Sequence, residues 1–146
     1  MSNKFNFTEN FDQQYIPIFN NYISENRYVE ATLFIHQEIE FLLRNILFVI
    51  GNQKEDKRII KTKIESIEKM TFDQLLLVHL FLETIDFKLF SEIQSVAKMR
   101  ARIAHKIKYF KPVSKYKGEI NTYLETCNAI YSICVQRLNE RAKEIK

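Results

Sequence analysis

Apolar residues recur along this chain at the three- and four-residue spacing that lines one side of a helix. Phe11, Tyr15, Ile18, Phe19, Tyr22 and Ile23 form the first such series. Thr8 is placed to cap it, and Pro17 predicts a kinked or late-starting helix. After a turn at residues 24–26, a longer helix is expected over 27–50. Its interior, ATLFIHQEIEFLLRNILFVI, is apolar on more than one face, as in a central bundle helix or a dimer-forming one. Gly51 would then serve as its C-terminal cap. A polar loop at 52–56 leads to a helix over 57–70 with Ile60, Ile64 and Ile67 inward.

Thr71-Phe72-Asp73-Gln74 fits a capping box and predicts a helix over 72–83. A further helix over 86–110 should stop at Lys111-Pro112. Its stripe runs through Phe90, Ile93, Val96 or Ala97, Ile103, Ile107 and Phe110, and Arg100 stands where that stripe should continue. The last helix begins near 116–119 and carries Ile120, Tyr123, Leu124, Cys127, Ile130, Tyr131, Cys134 and Leu138 along one side.

Composition narrows the fold class. The 146 residues suit a single domain over 1–146, and a hydrophobic fraction of 46% with 12 Phe and 7 Tyr supports a real core. Two Gly and two Pro are too few to punctuate a multi-stranded sheet. The expected architecture is all-α, an up-and-down helical bundle of about five to six helices with short connections. There is no internal repeat, glycine-rich phosphate loop or low-complexity tract. The N-terminal MSNKFNFTENF lacks the basic head and long apolar run of a signal peptide, and no apolar run is long enough for a bilayer. A cytoplasmic protein without membrane contact is therefore expected. Cys127 and Cys134, two helical turns apart on one face, read as buried reduced thiols.

Charge is distributed unevenly. Residues 93–118 hold eight Lys or Arg, one His and no acid, while the other fourteen basic residues face eighteen acidic ones. A basic block is set into a mildly acidic body. An arginine aimed at a core is costly unless it is paired or reaches water, so Arg100 needs either a carboxylate such as Glu38 or Glu40, or a route outward. His105 follows five residues later, about 140° around an ideal helix. A long guanidinium, or a loosening of the helix ahead of Pro112, would bring the two together. His36 and His79, within apolar helices, read as satisfied core histidines. The His36/Glu40 pair at i, i+4 lacks a third ligand, so no metal site and no cofactor is expected.

The segment Arg100-Ala101-Arg102-Ile103-Ala104-His105 resembles the Arg, four to six residues, His signature of HEPN-domain ribonucleases, helical bundles common in defence and toxin–antitoxin systems. Ala104 before the histidine and the position on the helix preceding the last one match as well. The stretch 35–43 is similar to the amphipathic second helix often seen in that superfamily. The chain departs from the pattern at Ala101, where a polar residue is typical, and at Lys106, where a small or turn-forming one is.

The resemblance implies a metal-independent endoribonuclease, with Arg100 and His105 as its catalytic pair and a homodimer bringing two such pairs to one cleft. RNA carries its own nucleophile in the 2′-hydroxyl. A histidine can move the proton, and an arginine's planar fork suits the developing phosphate charge. The neighbouring Lys98, Arg102, Lys106, Lys108 and Lys111 would neutralise phosphates, with Tyr109 and Tyr116 stacking on unpaired bases. Glu40 is a supporting candidate. A cognate antitoxin or regulatory protein is a further possible partner. Two alternative readings stand beside this one: an inert HEPN-like domain that binds RNA or a nucleotide without cutting, and a helical protein-interaction module.

Overall fold

The computed structural model describes residues 13–51, 57–106 and 113–144, and these form an all-α helical bundle. Helix α1, Tyr15–Ser24, starts late, with Pro17 in its first turn, where the missing N–H has no intrahelical partner to lose. Thr8 and Phe11 lie outside the described residues. Helix α2, Tyr28–Gly51, is the central element, packed by α1 and by every later helix of the bundle. Its apolar excess is thereby explained, since it is buried around much of its circumference. Gly51 is the last helical residue rather than a left-handed cap, as no glycine has a positive φ. The loop expected at 52–56 lies outside the described residues.

Helix α3, Lys57–Lys69, buries only Ile67. Ile60 is half-buried and Ile64 exposed, so the expected inward row reaches the core only at its final residue. Ile67 joins Leu47 and Leu75 in a small cluster beside the main one. Arg44 of α2 grips this end of α3. Its guanidinium donates to the Ile67 carbonyl, to the Met70 carbonyl at 2.9 Å and to Glu40 Oε1 at 2.6 Å. The expected capping box then opens α4, Phe72–Phe81: the Gln74 N–H donates to Thr71 Oγ1 at 3.2 Å, and the Thr71 N–H to Gln74 Oε1 at 2.9 Å.

Helix α5, Phe87–Lys106, is capped by Asp86, whose Oδ1 accepts from the Leu89 N–H at 2.7 Å. Its expected stop at Lys111-Pro112 lies outside the described residues. A 3-10 turn, Val113–Tyr116, leads to α6, Lys117–Asn121, and α7, Tyr123–Glu144. The single last helix expected from the pattern is thus divided. At the break, the Thr122 hydroxyl donates to the Glu119 carbonyl at 2.6 Å and closes α6 locally. Ile120, Tyr123, Cys127, Ile130 and Cys134 are buried as their spacing predicts. Both thiols are free, and burial pushes Cys134 up to about 12. No helix among the described residues is long and apolar enough to cross a membrane.

Two turns share one design. After α1, the Arg27 N–H donates to the Tyr22 carbonyl and the Asn26 N–H to that of Ile23. After α4, the Thr84 N–H donates to the His79 carbonyl and the Glu83 N–H to that of Leu80. This is the Schellman arrangement, which places one residue in the left-handed region. Asn26 tolerates it at φ 59°, and in the second turn Glu83 holds φ 56°. Side chains close both turns: the Arg27 guanidinium lies 5.1 Å over the Tyr22 ring, and Thr84 Oγ1 lies 2.6 Å from His79 Nδ1.

A side chain at the Glu83 position costs about 1–2 kcal/mol relative to glycine. Glu83→Gly should therefore raise the urea midpoint, by up to about 1 kcal/mol after the added chain entropy of glycine. Thr71→Ala should lower it by about 1 kcal/mol through loss of the cap.

Candidate functional site

The buried stripe of α5 runs through Leu89, Phe90, Ile93, Val96, Met99 and Ile103. After Val96 it advances three residues to Met99 rather than four to Arg100. Methionine is flexible and apolar and fills the core position, so the arginine one residue later turns to the flank. Arg100 is exposed. It does not interrupt the core, and it has no carboxylate partner among the described residues. Glu40, the expected support, pairs with Arg44 instead. Glu38 acts on Tyr15 and Cys127, on the α1 and α7 side of α2, and burial raises its carboxyl above the ordinary value.

The residue that does feel Arg100 is His36 of α2. It is only 8% exposed, and its ring stacks on Phe72 with centroids 4.3 Å apart and planes 29° from parallel. Burial lowers its pKa first, and the Arg100 charge lowers it further, with Glu40 opposing. Neither ring nitrogen has a hydrogen-bond partner among the described residues. The Phe72 ring covers one flat face of the imidazole.

His79 shows what a satisfied core histidine looks like in the same bundle. Its Nε2 lies 2.7 Å from the Leu43 carbonyl, which can only accept, so Nε2 carries the proton and Nδ1 is left to accept from Thr84. The satisfied-core expectation therefore holds for His79, and His36 is buried as expected, with no ring-nitrogen hydrogen bond among the described residues. The sequence signal for His36 was its i, i+4 relation to Glu40. Its relation to Arg100 spans 64 residues, and no local pattern announces it.

The other basic candidates disperse around α5. Lys98 and Arg102, four residues apart, lie about 40° from each other on one face, while Arg100 stands about 160° from both. Lys98 is exposed. Arg102 lies 5.8 Å over the Tyr116 ring, and its charge also reaches Tyr123, whose hydroxyl donates to Glu119 Oε1 at 3.1 Å. Tyr116 is half-buried and packs on the core, so its ring meets Arg102 within the protein.

His105 and Lys106 fall in the last turn of α5, and the helix is continuous from Arg100 to both. The expected loosening before Pro112 does not occur within this span. Positions 100 and 105 on this helix backbone are therefore about 140° apart around the axis, with a rise of about 7.5 Å. Lys108, Tyr109 and Lys111 lie outside the described residues.

Away from this region, a groove of about 590 Å³ runs along α7 between Tyr131 and Lys143 and contains neither Arg100 nor His36. Among the described residues, no three His, Cys, Asp or Glu side chains gather as a metal site. No protein-family model, curated protein or solved structure matches the chain.

The buried histidines set a pH dependence. Both pKa values are lowered in the fold, so below the ordinary 6.5 the unfolded chain binds protons that the folded one refuses. Their contribution is complete above that pH and is lost as pH falls through the window beneath it. Glu38, raised by burial, acts in the opposite sense nearer its own range. The urea midpoint should fall between pH 7.5 and 5.5. The fall should shrink in His79→Gln, whose amide can still donate to Leu43.

Proposed function

We propose that this chain is a metal-independent endoribonuclease of the HEPN type, cutting RNA by attack of the 2′-hydroxyl and leaving a 2′,3′-cyclic phosphate. One observation carries the reading. Arg100 is an exposed guanidinium with no carboxylate partner among the described residues, inside an acid-free segment, and a histidine follows on the same continuous helix. A cation in this state is available to a phosphate, and its fork matches the oxygens of the transition state. His105 supplies proton transfer.

Because positions 100 and 105 lie about 140° apart around the α5 backbone, the active unit is a homodimer in which each phosphate meets groups from two chains. The setting is cytoplasmic defence or a toxin–antitoxin pair, in which a cognate protein restrains the activity.

A second reading draws on a separate observation. Phe81 and Phe87 are 84% and 70% exposed, with Leu77 and Leu82 beside them at the α4–α5 turn. Such a surface suits a protein-interaction module.

Purified protein should cut labelled single-stranded RNA in EDTA. Arg100→Ala and His105→Ala should each reduce the rate by about a hundredfold or more. Replacing the 2′-hydroxyl by hydrogen should abolish cutting. Unchanged cleavage in both variants, or equal cutting of DNA, removes the assignment, and binding without cleavage leaves only the inert RNA-binding reading.

A further inference from the structure

The turn between α4 and α5 holds apolar side chains in water on a rigid frame. Phe81 and Phe87 are 84% and 70% exposed, and Leu77 and Leu82 are 48% and 49% exposed. Leu77 and Phe81 stand one turn apart on a single face of α4, and Leu82 follows directly. Phe87, in the first turn of α5, stacks on the buried Phe90 with centroids 6.0 Å apart and planes 20° from parallel, so its ring is propped on the core. The turn itself is fixed from inside. Thr84 closes on His79 twice, through its N–H at 3.1 Å from the carbonyl and its hydroxyl at 2.6 Å from Nδ1. His79 Nε2 in turn bonds the Leu43 carbonyl of α2 at 2.7 Å. Glu83 is thereby kept at φ 56°, a cost that lasts only where the surroundings over-determine it. Such a frame has little left to order when something binds it.

Area and charge select the occupant. Two phenylalanines and two leucines at these exposures offer on the order of 400 Å² of apolar surface. A stable interface between two folded proteins takes about 800 Å² from each, roughly twice as much. The surroundings are acidic, since residues 71–95 hold Asp73, Glu83, Asp86 and Glu92 against Lys88 alone. Asp73, Glu83 and Asp86 are exposed. Two copies of this chain meeting through the tip would therefore bring like charges together over too small an area. We propose that the α4–α5 tip docks a short amphipathic helix of another protein, whose apolar residues at three- and four-residue spacing seat on Phe81 and Phe87 and whose Lys or Arg residues face Asp73 and Glu83. This rests on the second reading above, that the surface binds protein, and adds what it binds. Lys98, where the basic part of α5 begins, lies about 16 Å further along that helix, so a segment docked at the tip leaves it open.

The test is an NMR titration of the full, isotope-labelled chain with three synthetic peptides. One is a helix with leucines along one side and lysines on the other, the second carries glutamate for every lysine, and the third scrambles the first so that its leucines share no face. The lysine helix should shift the amide resonances of residues 77–88 and bind at least about tenfold more tightly than the other two. Phe81→Ser and Phe87→Ser, both surface changes, should each weaken it at least about tenfold. Asp73→Asn combined with Glu83→Gln should weaken it less and flatten its dependence on salt. Shifts that avoid the tip, or that survive both phenylalanine variants, would overturn the site. Equal binding of the glutamate or scrambled peptide at the tip would overturn the choice of partner and leave a protein-binding surface standing. So would a dimer in sedimentation that Phe81→Ser dissolves, because the occupant is then a second copy. A tip that answers to no peptide, in a chain whose association state Phe81→Ser does not change, would remove this inference and the interaction reading together.

Discussion

The Arg44 guanidinium holds together a part of this bundle that helix packing alone would leave loose. Helix α3 has a single buried residue, and a helix so thinly attached has little reason to end in one place. By taking the carbonyls of Ile67 and Met70, Arg44 satisfies acceptors that every helix end leaves open, and it ties them to the central helix. The next residue, Thr71, caps α4, and the one after that, Phe72, lies against His36. One side chain of α2 thus determines, through a turn of three residues, what covers another side chain of α2 two helical turns away.

That relation reflects the position of α2. A helix surrounded by neighbours must satisfy each polar group internally or aim it at an edge. Asn45 shows how hard this is: its amide nitrogen donates to the Phe41 carbonyl, while Oδ1 is buried without a partner. Arg44 and Glu40 solve the problem by pairing at the margin.

Local patterns made much of the fold legible. The capping box, the late start at Pro17 and the inward row of α7 depend on residues within a few positions of one another, and all are found. Three features depended on neighbours and were not legible. Ile64 belongs to an amphipathic row, but periodicity does not say how far another helix extends over it. Val96 is followed by two residues able to continue a stripe, and choosing Met99 over Arg100 requires the rotation of α5 against α2. Of the candidate site, the exposure of Arg100 follows from that rotation. The sequence therefore placed Arg100 on α5 without giving the direction in which it faces.

The winding of α5 also changes what its positive charge does at a distance. Lys98 and Arg102 share one face, Arg100 takes nearly the opposite one, and Lys115 and Lys117 lie exposed beyond the helix. Spread in this way, they form something closer to a single pole than a track. Beyond about 8–10 Å, an approaching polyanion in physiological salt feels little of their individual positions. The attraction is then nearly the same from every bearing around that end of the molecule, so capture needs no prior alignment. Orientation is decided only over the last few ångströms, where a guanidinium beside a flat ring differs from a lysine in water.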